Sequence, residues 1–244
     1  MKAVILSAGY GTRLGALTRE IPKPMLPINK KPILEYILLY LKNNGFRDFY
    51  INLHFQPDRI KSYFRNGTRW NVSINYSHEK KPRGTAGALA GFPDLKKEDH
   101  FIVIYGDILT DQPLQPLLDL HWRNNSFATL LIHQNPDSNS FLSLGSEGRI
   151  TEFIERPTAE IKRNLDTTTL YANSAVQILS AKALDYVLRN DCADLPKDVY
   201  IPNIQNEVIS GYPIERPRIA VDSEKRYRVA CEMISKGEIN VEME

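Results

Sequence analysis

The residues best suited to chemistry gather near the start of this chain. Gly9-Tyr10-Gly11-Thr12-Arg13-Leu14 follows the apolar run Ala3-Val4-Ile5-Leu6, and Pro22-Lys23-Pro24 comes soon after. Glycines leave backbone N–H groups bare, so that an anion's oxygens can approach them closely. Arg13 carries a planar fork of donors matched to phosphate, and Lys23 a compact point charge. Pro22 and Pro24 restrict the backbone on either side of Lys23, which lowers the entropy lost on ordering it. The plainer alternative is two solvated surface cations beside a turn. A glycine pair, an arginine and a proline-framed lysine within one short stretch argue instead for binding phosphate. Two familiar nucleotide loops are absent: Leu14 stands where a dinucleotide fingerprint wants its third glycine, and no glycine-lysine-serine/threonine loop occurs.

Two carboxylates complete the set. Asp107 follows Gly106 and the strongly apolar Phe101-Ile102-Val103-Ile104-Tyr105. That position puts it at the carboxyl edge of a sheet, where open α/β folds bind ligands. Asp222 follows Arg218-Ile219-Ala220-Val221 in the same manner and precedes a helix. Magnesium takes one or two carboxylates together with phosphate oxygens and waters. The competing reading of Asp222 is a helix N-cap, and Asp111 reads as a turn residue. His54, His78, His100, His121 and His133 show no metal-ligand spacing, and no Ser, Cys or His is arranged as a nucleophile.

The elements that must position these residues alternate. Lys2–Ser7 reads as a buried strand and 32–44 as a helix closed by Gly45. A strand follows over 46–55, a short helix over 57–66 closed by Gly67, and a strand over 71–77. Gly84-Thr85-Ala86-Gly87-Ala88 opens a small helix, 101–105 a central strand, 113–125 a helix and 127–134 a strand. This β-α-β-α-β rhythm predicts a parallel sheet with helices on both faces. Beyond it the pattern predicts a hairpin, 141–144 with 149–155, around Gly145-Ser-Glu-Gly148. A strand over 169–179, a helix over 181–190 and one late strand over 214–221 come next. Ser223 then caps a last helix running to Ser235, with Gly237 past its end.

Composition narrows the class. The chain has 244 residues and a formal net charge of +2, with no basic tail, which argues against general nucleic-acid binding. No stretch approaches the ~20 apolar residues of a membrane span, and the first apolar run is shorter than a signal-peptide core. Cys192 and Cys231 are too few for a disulfide framework or a cysteine zinc site, so we expect reduced thiols in the cytoplasm.

Leu6-Ser-Ala-Gly-Tyr-Gly-Thr-Arg-Leu through Pro22-Lys-Pro-Met-Leu-Pro resembles the signature of the sugar-1-phosphate nucleotidyltransferases, and the likeness continues at Asn52-Leu-His, Gly84-Thr-Ala-Gly-Ala-Leu and Gly106-Asp107. The resemblance implies a Rossmann-like, GT-A-type α/β fold with a mostly parallel central sheet and a β-rich sugar-binding elaboration. We expect one domain over 1–244, with nucleotide bound by 1–135 and sugar phosphate by 136–244. The implied reaction joins a nucleoside triphosphate to a sugar 1-phosphate and releases pyrophosphate. Leu6, Ala8, Gly9, Gly11, Thr12, Arg13, Gly84 and Thr85 would surround the nucleotide. Arg13, Lys23 and Asp107 would be catalytic, with Mg2+ on Asp107 and Asp222. Lys23, Glu155, Arg156 and Asn173 would take the sugar phosphate.

Several positions depart from the family pattern. Arg83 replaces a customary leucine, and Asn139-Ser140 stands for a Tyr-Gly pair. Arg156 replaces a lysine, and Ala175 a glycine. Ser223-Glu224-Lys225 lacks the glycine-threonine-proline usual after the second aspartate. The departures at Asn139-Ser140, Arg156 and Ala175 suggest an uncommon sugar. The Gly84–Leu89 segment resembles guanylyltransferases for mannose- or heptose-like sugars, so GTP is the expected triphosphate. A homodimer is the expected assembly. Two other readings are a non-catalytic nucleotide-sugar sensor and a glycosyltransferase. The latter would want an Asp-x-Asp motif where the chain has Asp107-Ile108-Leu109.

Overall fold

In the computed structural model, which describes residues 1–241, the chain alternates strands and helices. β1 (Lys2–Leu6) leads into 3-10 turns at Thr12–Thr18 and Lys23–Met25. A small ribbon, β2 (Pro27–Ile28) with β3 (Lys31–Pro32), precedes α1 (Ile33–Asn43), β4 (Asp48–Leu53), α2 (Pro57–Phe64) and β5 (Ser73–His78). Next come α3 (Gly84–Gly87), β6 (His100–Tyr105), β7 (Ile108–Thr110), α4 (Gln115–Arg123) and β8 (Ala128–His133). The later elements are β9 (Ser140–Leu144), β10 (Ile150–Glu155), α5 (Ala159–Asn164), β11 (Ala172–Ser180) and α6 (Ala181–Arg189). A π-helical turn at Leu195–Tyr200 runs into α7 (Ile201–Asn203), followed by β12 (Ile209–Pro213), β13 (Arg218–Ala220) and α8 (Glu224–Ser235).

The fold is mixed α/β around a mostly parallel seven-stranded sheet, in the order β12-β8-β11-β6-β1-β4-β5. β1 pairs parallel with β4, β4 with β5, and β8 with β12, whereas β11 runs antiparallel to β8. Ala3, Val4 and Ile5 of β1 and Phe101 to Ile104 of β6 are fully buried. Such unbroken apolar runs are what strands covered on both sides require.

Contacts divide the chain into two interleaved compact units. The first comprises Met1–Arg83, Val103–Pro113 and the chain from Glu215; the second comprises Gly84–Ile102 and Leu114–Ile214. In the first, α1 buries Ile33, Leu34, Ile37, Leu38 and Leu41 at helical spacing. Gly45 closes it at φ +91°, the left-handed conformation that glycine tolerates. In the second, the hairpin β9–β10 forms around a 3-10 turn at Ser146–Gly148.

One expected element divides differently. The late strand read over 214–221 is two strands: Ile209–Pro213 pairs with β8, and Arg218–Ala220 pairs antiparallel with β7. Pro213 and Pro217 lack ladder donors. Between them the Gln112 side-chain oxygen accepts the N–H groups of Glu215 and Arg216, which takes that stretch out of the ladder. Strand β7 escaped the sequence reading because three residues are too few to show a period.

Candidate active site

In the first unit the glycine loop leaves β1 at Leu6. The Ser7 N–H donates to Asn52 Oδ1 at 2.7 Å, which ties the loop to the end of β4. Gly11 adopts φ +68°, and a Cβ added there would lie 3.1 Å from the Lys23 Cβ and 3.3 Å from Thr18 Cγ2. Glycine at this position therefore lets the lysine turn pack against the loop. Gly9 differs: its φ is not left-handed and an added Cβ would meet nothing within 4 Å. Among the described residues neither backbone conformation nor packing accounts for the glycine there.

Lys23 opens a tight turn, with Met25 N–H bonded to Pro22 O at 2.7 Å and Leu26 N–H to Lys23 O at 3.1 Å. Its ammonium is 2.5 Å from Asp107 Oδ2, and both side chains are largely buried. Gly106 makes this possible. Its N–H bonds Leu6 O, and a Cβ there would lie 2.5 Å from Ser7 Oγ and 2.8 Å from Leu6 O, so β6 can end hard against β1. The Val221 N–H then donates to Asp107 O at 2.8 Å, which brings the next residue, Asp222, beside Asp107. Asp222 Oδ2 receives Arg13 Nη1 at 3.4 Å and Arg226 Nη1 at 3.5 Å. Arg13 itself is 75% exposed, so its guanidinium is free to turn toward a ligand.

The structure thus brings Gly11, Arg13, Lys23, Asp107 and Asp222 together. It also decides the competing reading of Asp222: the cap of α8 is Ser223, whose side chain accepts the Arg226 N–H. Two neighbouring, partly exposed carboxylates offer hard oxygen donors, a set that fits Mg2+. Among the described residues no group of three or more His, Cys, Asp or Glu side chains could hold a metal alone. A magnesium ion here would draw its remaining ligands from phosphates and water.

Sequence reasoning missed Arg218 in this neighbourhood; it noted Asn52 and Glu79 only as matches to the family pattern, with no role. Arg218 on β13 feels the charges of Asp107 and Asp222; burial lowers its pKa to about 10, Asp107 opposes that shift, and the group stays cationic near neutrality. Arg218 opens a three-residue strand, and a single charge there gives no sequence signal of its partners. Asn52 and Glu79, both buried, form a relay. Asn52 Nδ2 donates to Glu79 Oε1 at 2.9 Å, and Glu79 Oε2 accepts the Arg83 N–H at 2.8 Å. His54 Nδ1 lies 2.8 Å from Glu79 O, and its ring meets that of the exposed Tyr10 edge-on at 4.7 Å.

In the second unit Gly84 lies at φ +80°, and an added Cβ would fall 2.3 Å from Ala193 O. The Ala86 N–H bonds the same carbonyl, and Thr85 Oγ1 accepts the Leu195 N–H at 2.8 Å. Gly84 and Thr85 therefore have a packing reason of their own. Asp198 organises the partner loop by accepting the N–H groups of Ala193 and Asp194, each at 2.8 Å. Arg156, at φ +51°, places Nη2 3.0 Å from Asp194 Oδ2 and Nε 3.3 Å from Glu155 Oε1. Burial raises the Glu155 pKa above the ordinary carboxylate value, against the lowering by Arg156. Asn173 Oδ1 accepts the Ala175 N–H at 2.8 Å across a bulge in β11.

These features describe a class before any comparison: a mixed α/β protein with a glycine loop, mobile and anchored cations, and a carboxylate pair suited to phosphate and a divalent ion. Residues 2–201 match the nucleotidyl transferase family, and the chain belongs to that family. A UTP–glucose-1-phosphate uridylyltransferase of Synechocystis sp. is 33% identical over 228 residues, covering 87% of this chain and 56% of that protein. A mannose-1-phosphate guanyltransferase of Schizosaccharomyces pombe is 26% identical over 234 residues, covering 93% of this chain and 62% of that protein. The chain thus spans little more than half the length of these relatives. Among solved structures, HddC from Yersinia pseudotuberculosis, complexed with GMP-PN, superposes with a TM-score of 0.77 at 24% identity, over 96% of this chain and 99% of that one. That likeness bears on the fold alone. Among the described residues no helix is long and apolar enough to cross a membrane.

Proposed function

We propose that this chain transfers a nucleotidyl group from a nucleoside triphosphate, GTP by preference, to a sugar 1-phosphate. The carrying observation is the Arg13, Lys23, Asp107 and Asp222 cluster built against the glycine loop. In this reaction a phosphate oxygen of the sugar attacks the α-phosphorus, and the bond to the departing pyrophosphate breaks. The attacking oxygen is already anionic, so no protein nucleophile is needed. The difficulty is crowding negative charge: two unit charges ~4 Å apart repel by roughly 4 kcal/mol at an effective dielectric near 20. On this reading Gly9 and Gly11 admit the triphosphate to bare backbone. Arg13 takes the α-phosphate and the departing pyrophosphate, and Lys23 holds the α-phosphate and the incoming sugar phosphate in line. Asp107 and Asp222 would hold magnesium, which neutralises phosphate oxygens when bound. Leu6, Ala8, Thr12, Gly84 and Thr85 are assigned to the nucleotide, and Glu155, Arg156 and Asn173 to the sugar phosphate. The preference for GTP rests on the Gly84–Leu89 segment, and relatives named for both guanylyl and uridylyl transfer make it the part to test first.

Pyrophosphate release over a matrix of triphosphates and sugar 1-phosphates with magnesium is the deciding experiment. We expect turnover with at least one pair, fastest with GTP. Tight nucleotide-sugar binding without turnover by any pair would favour the sensor reading instead. One observation favours that second reading: the Arg156 guanidinium is already engaged by Glu155 and Asp194.

A further inference from the structure

We propose that the hollow between α2 and the Thr68–Trp70 turn is a second anion site, separate from the catalytic cluster, which takes the phosphate group of a small molecule. The hollow encloses about 480 Å³ and is lined by Ser62, Tyr63, Arg65, Asn66, Thr68 and Arg69, with Phe64 at its base. That size is typical of small-ligand sites. Its charged lining is cationic, supplied by Arg65 and Arg69. The guanidinium groups of Arg65 and Arg69 form no ion pair with a carboxylate among the described residues. Asn66 Oδ1 accepts the Thr68 N–H and the Thr68 hydroxyl. Among the described residues no carboxylate lines the hollow. Glu35 is buried, with Oε2 accepting the Tyr63 hydroxyl at 2.6 Å and Oε1 the Trp70 indole N–H at 3.2 Å.

Two features show that this lining is held in place. Arg69 lies over both rings that Glu35 anchors, 5.7 Å from the Tyr63 centroid and 5.0 Å from that of Trp70. Arg65 adopts φ +48° and ψ −129°, a region that glycine occupies and other residues avoid. Its N–H bonds Lys61 O at 2.8 Å, and its carbonyl accepts the Tyr76 hydroxyl at 2.7 Å. A glycine would relieve this conformation, as Gly67 does two positions on. An arginine stands there instead, and it lines the hollow. Two guanidinium forks, an amide and a hydroxyl lining one cavity match a phosphate group better than a neutral ligand.

Trp70 supplies a local probe. The chain has two tryptophans, and the other, Trp122, is 50% exposed. In a Trp122→Phe background, Trp70 emission is followed while pyrophosphate, a hexose phosphate and a nucleoside diphosphate are added in separate titrations. We expect a saturable change with at least one of them. Saturation by pyrophosphate identifies the free anion as sufficient, and saturation by the others alone identifies a carried phosphate; either supports the site. Arg65→Gly should weaken binding tenfold or more while leaving the melting temperature equal or higher, which separates binding from folding. Arg13→Ala should leave the titration unchanged. The absence of any saturable change at millimolar ligand, a response insensitive to Arg65→Gly, or one abolished by Arg13→Ala would each overturn the proposal.

Discussion

Arg13 and Lys23 are both cations of the glycine-loop region, yet their surroundings differ and so should their variants. Arg13 is exposed and, among the described residues, reaches the Asp222 carboxylate, at 3.4 Å. Arg13→Ala should therefore fold normally and lose about 10²–10³ in turnover, the usual cost of one well-placed transition-state donor. Full activity in a pyrophosphate-release assay would refute its role. Lys23 also neutralises Asp107, so its loss leaves a half-buried carboxylate without its cation and affects stability as well. The glycines separate in the same way. Gly11→Ala meets both a left-handed φ and the Lys23 Cβ, and should cost roughly 1–2 kcal/mol in urea unfolding. Gly9→Ala meets neither. It should change stability by less than about 0.5 kcal/mol while raising KM for the triphosphate. An unchanged KM would mean that no ligand approaches that backbone. These side-chain types and their order were legible in the chain. The partners of Arg218 and the bond between Asn52 and Glu79 were not, because a single buried charge or amide carries no spacing that marks its partner.

At the level of elements, what matters is how strands end. β1 and β6 finish together because Gly106 removes the Cβ that would strike Ser7 and Leu6. β13 finishes beside them because Val221 N–H reaches Asp107 O. The first convergence could be anticipated from Gly106-Asp107 after an apolar strand. The second could not, since β13 and β7 are three residues each and their pairing depends on Gln112 holding the turn before them. On β11, Ala175 occupies φ +61° at the bulge, with its N–H taken by Asn173. The sequence reading noted alanine where relatives carry glycine, and the conformation supplies the reason that glycine is customary there. Ala175→Gly should raise the unfolding free energy by a few tenths to about 1 kcal/mol by relieving the left-handed strain. A lower melting temperature would show that the alanine methyl contributes more by packing than it costs in strain.

For the molecule as a whole, a buried histidine sets an acid limit on stability. His121 is fully buried, with Nδ1 2.7 Å from Thr129 Oγ1 and Nε2 2.9 Å from His100 Nδ1. Burial, with a smaller contribution from His100, lowers its pKa from 6.5 to about 4. The folded state therefore holds the neutral ring. Its stabilising contribution is complete above the unfolded value near 6.5 and is lost as pH falls toward 4. Unfolding free energy should drop by about 2 kcal/mol between pH 7 and pH 5 from this group alone. His121→Gln should flatten that part of the profile, and an equal slope in both proteins would remove His121 as the cause.

Local order was the part that the chain determined by itself. Apolar runs, a glycine pair, proline-framed Lys23, the cap at Ser223 and the terminator at Gly45 act over a few residues, so their physics is written in adjacent positions. Family membership follows from the same short signatures. Contacts across long separations were decided only in three dimensions. Lys23 meets Asp107 across 84 positions and Arg13 meets Asp222 across 209. Ala193 fills the space that Gly84 leaves, and the two compact units interleave along the chain. Each of these depends on which strand ends adjoin, and that is set by packing many side chains at once, not by any one segment's preference.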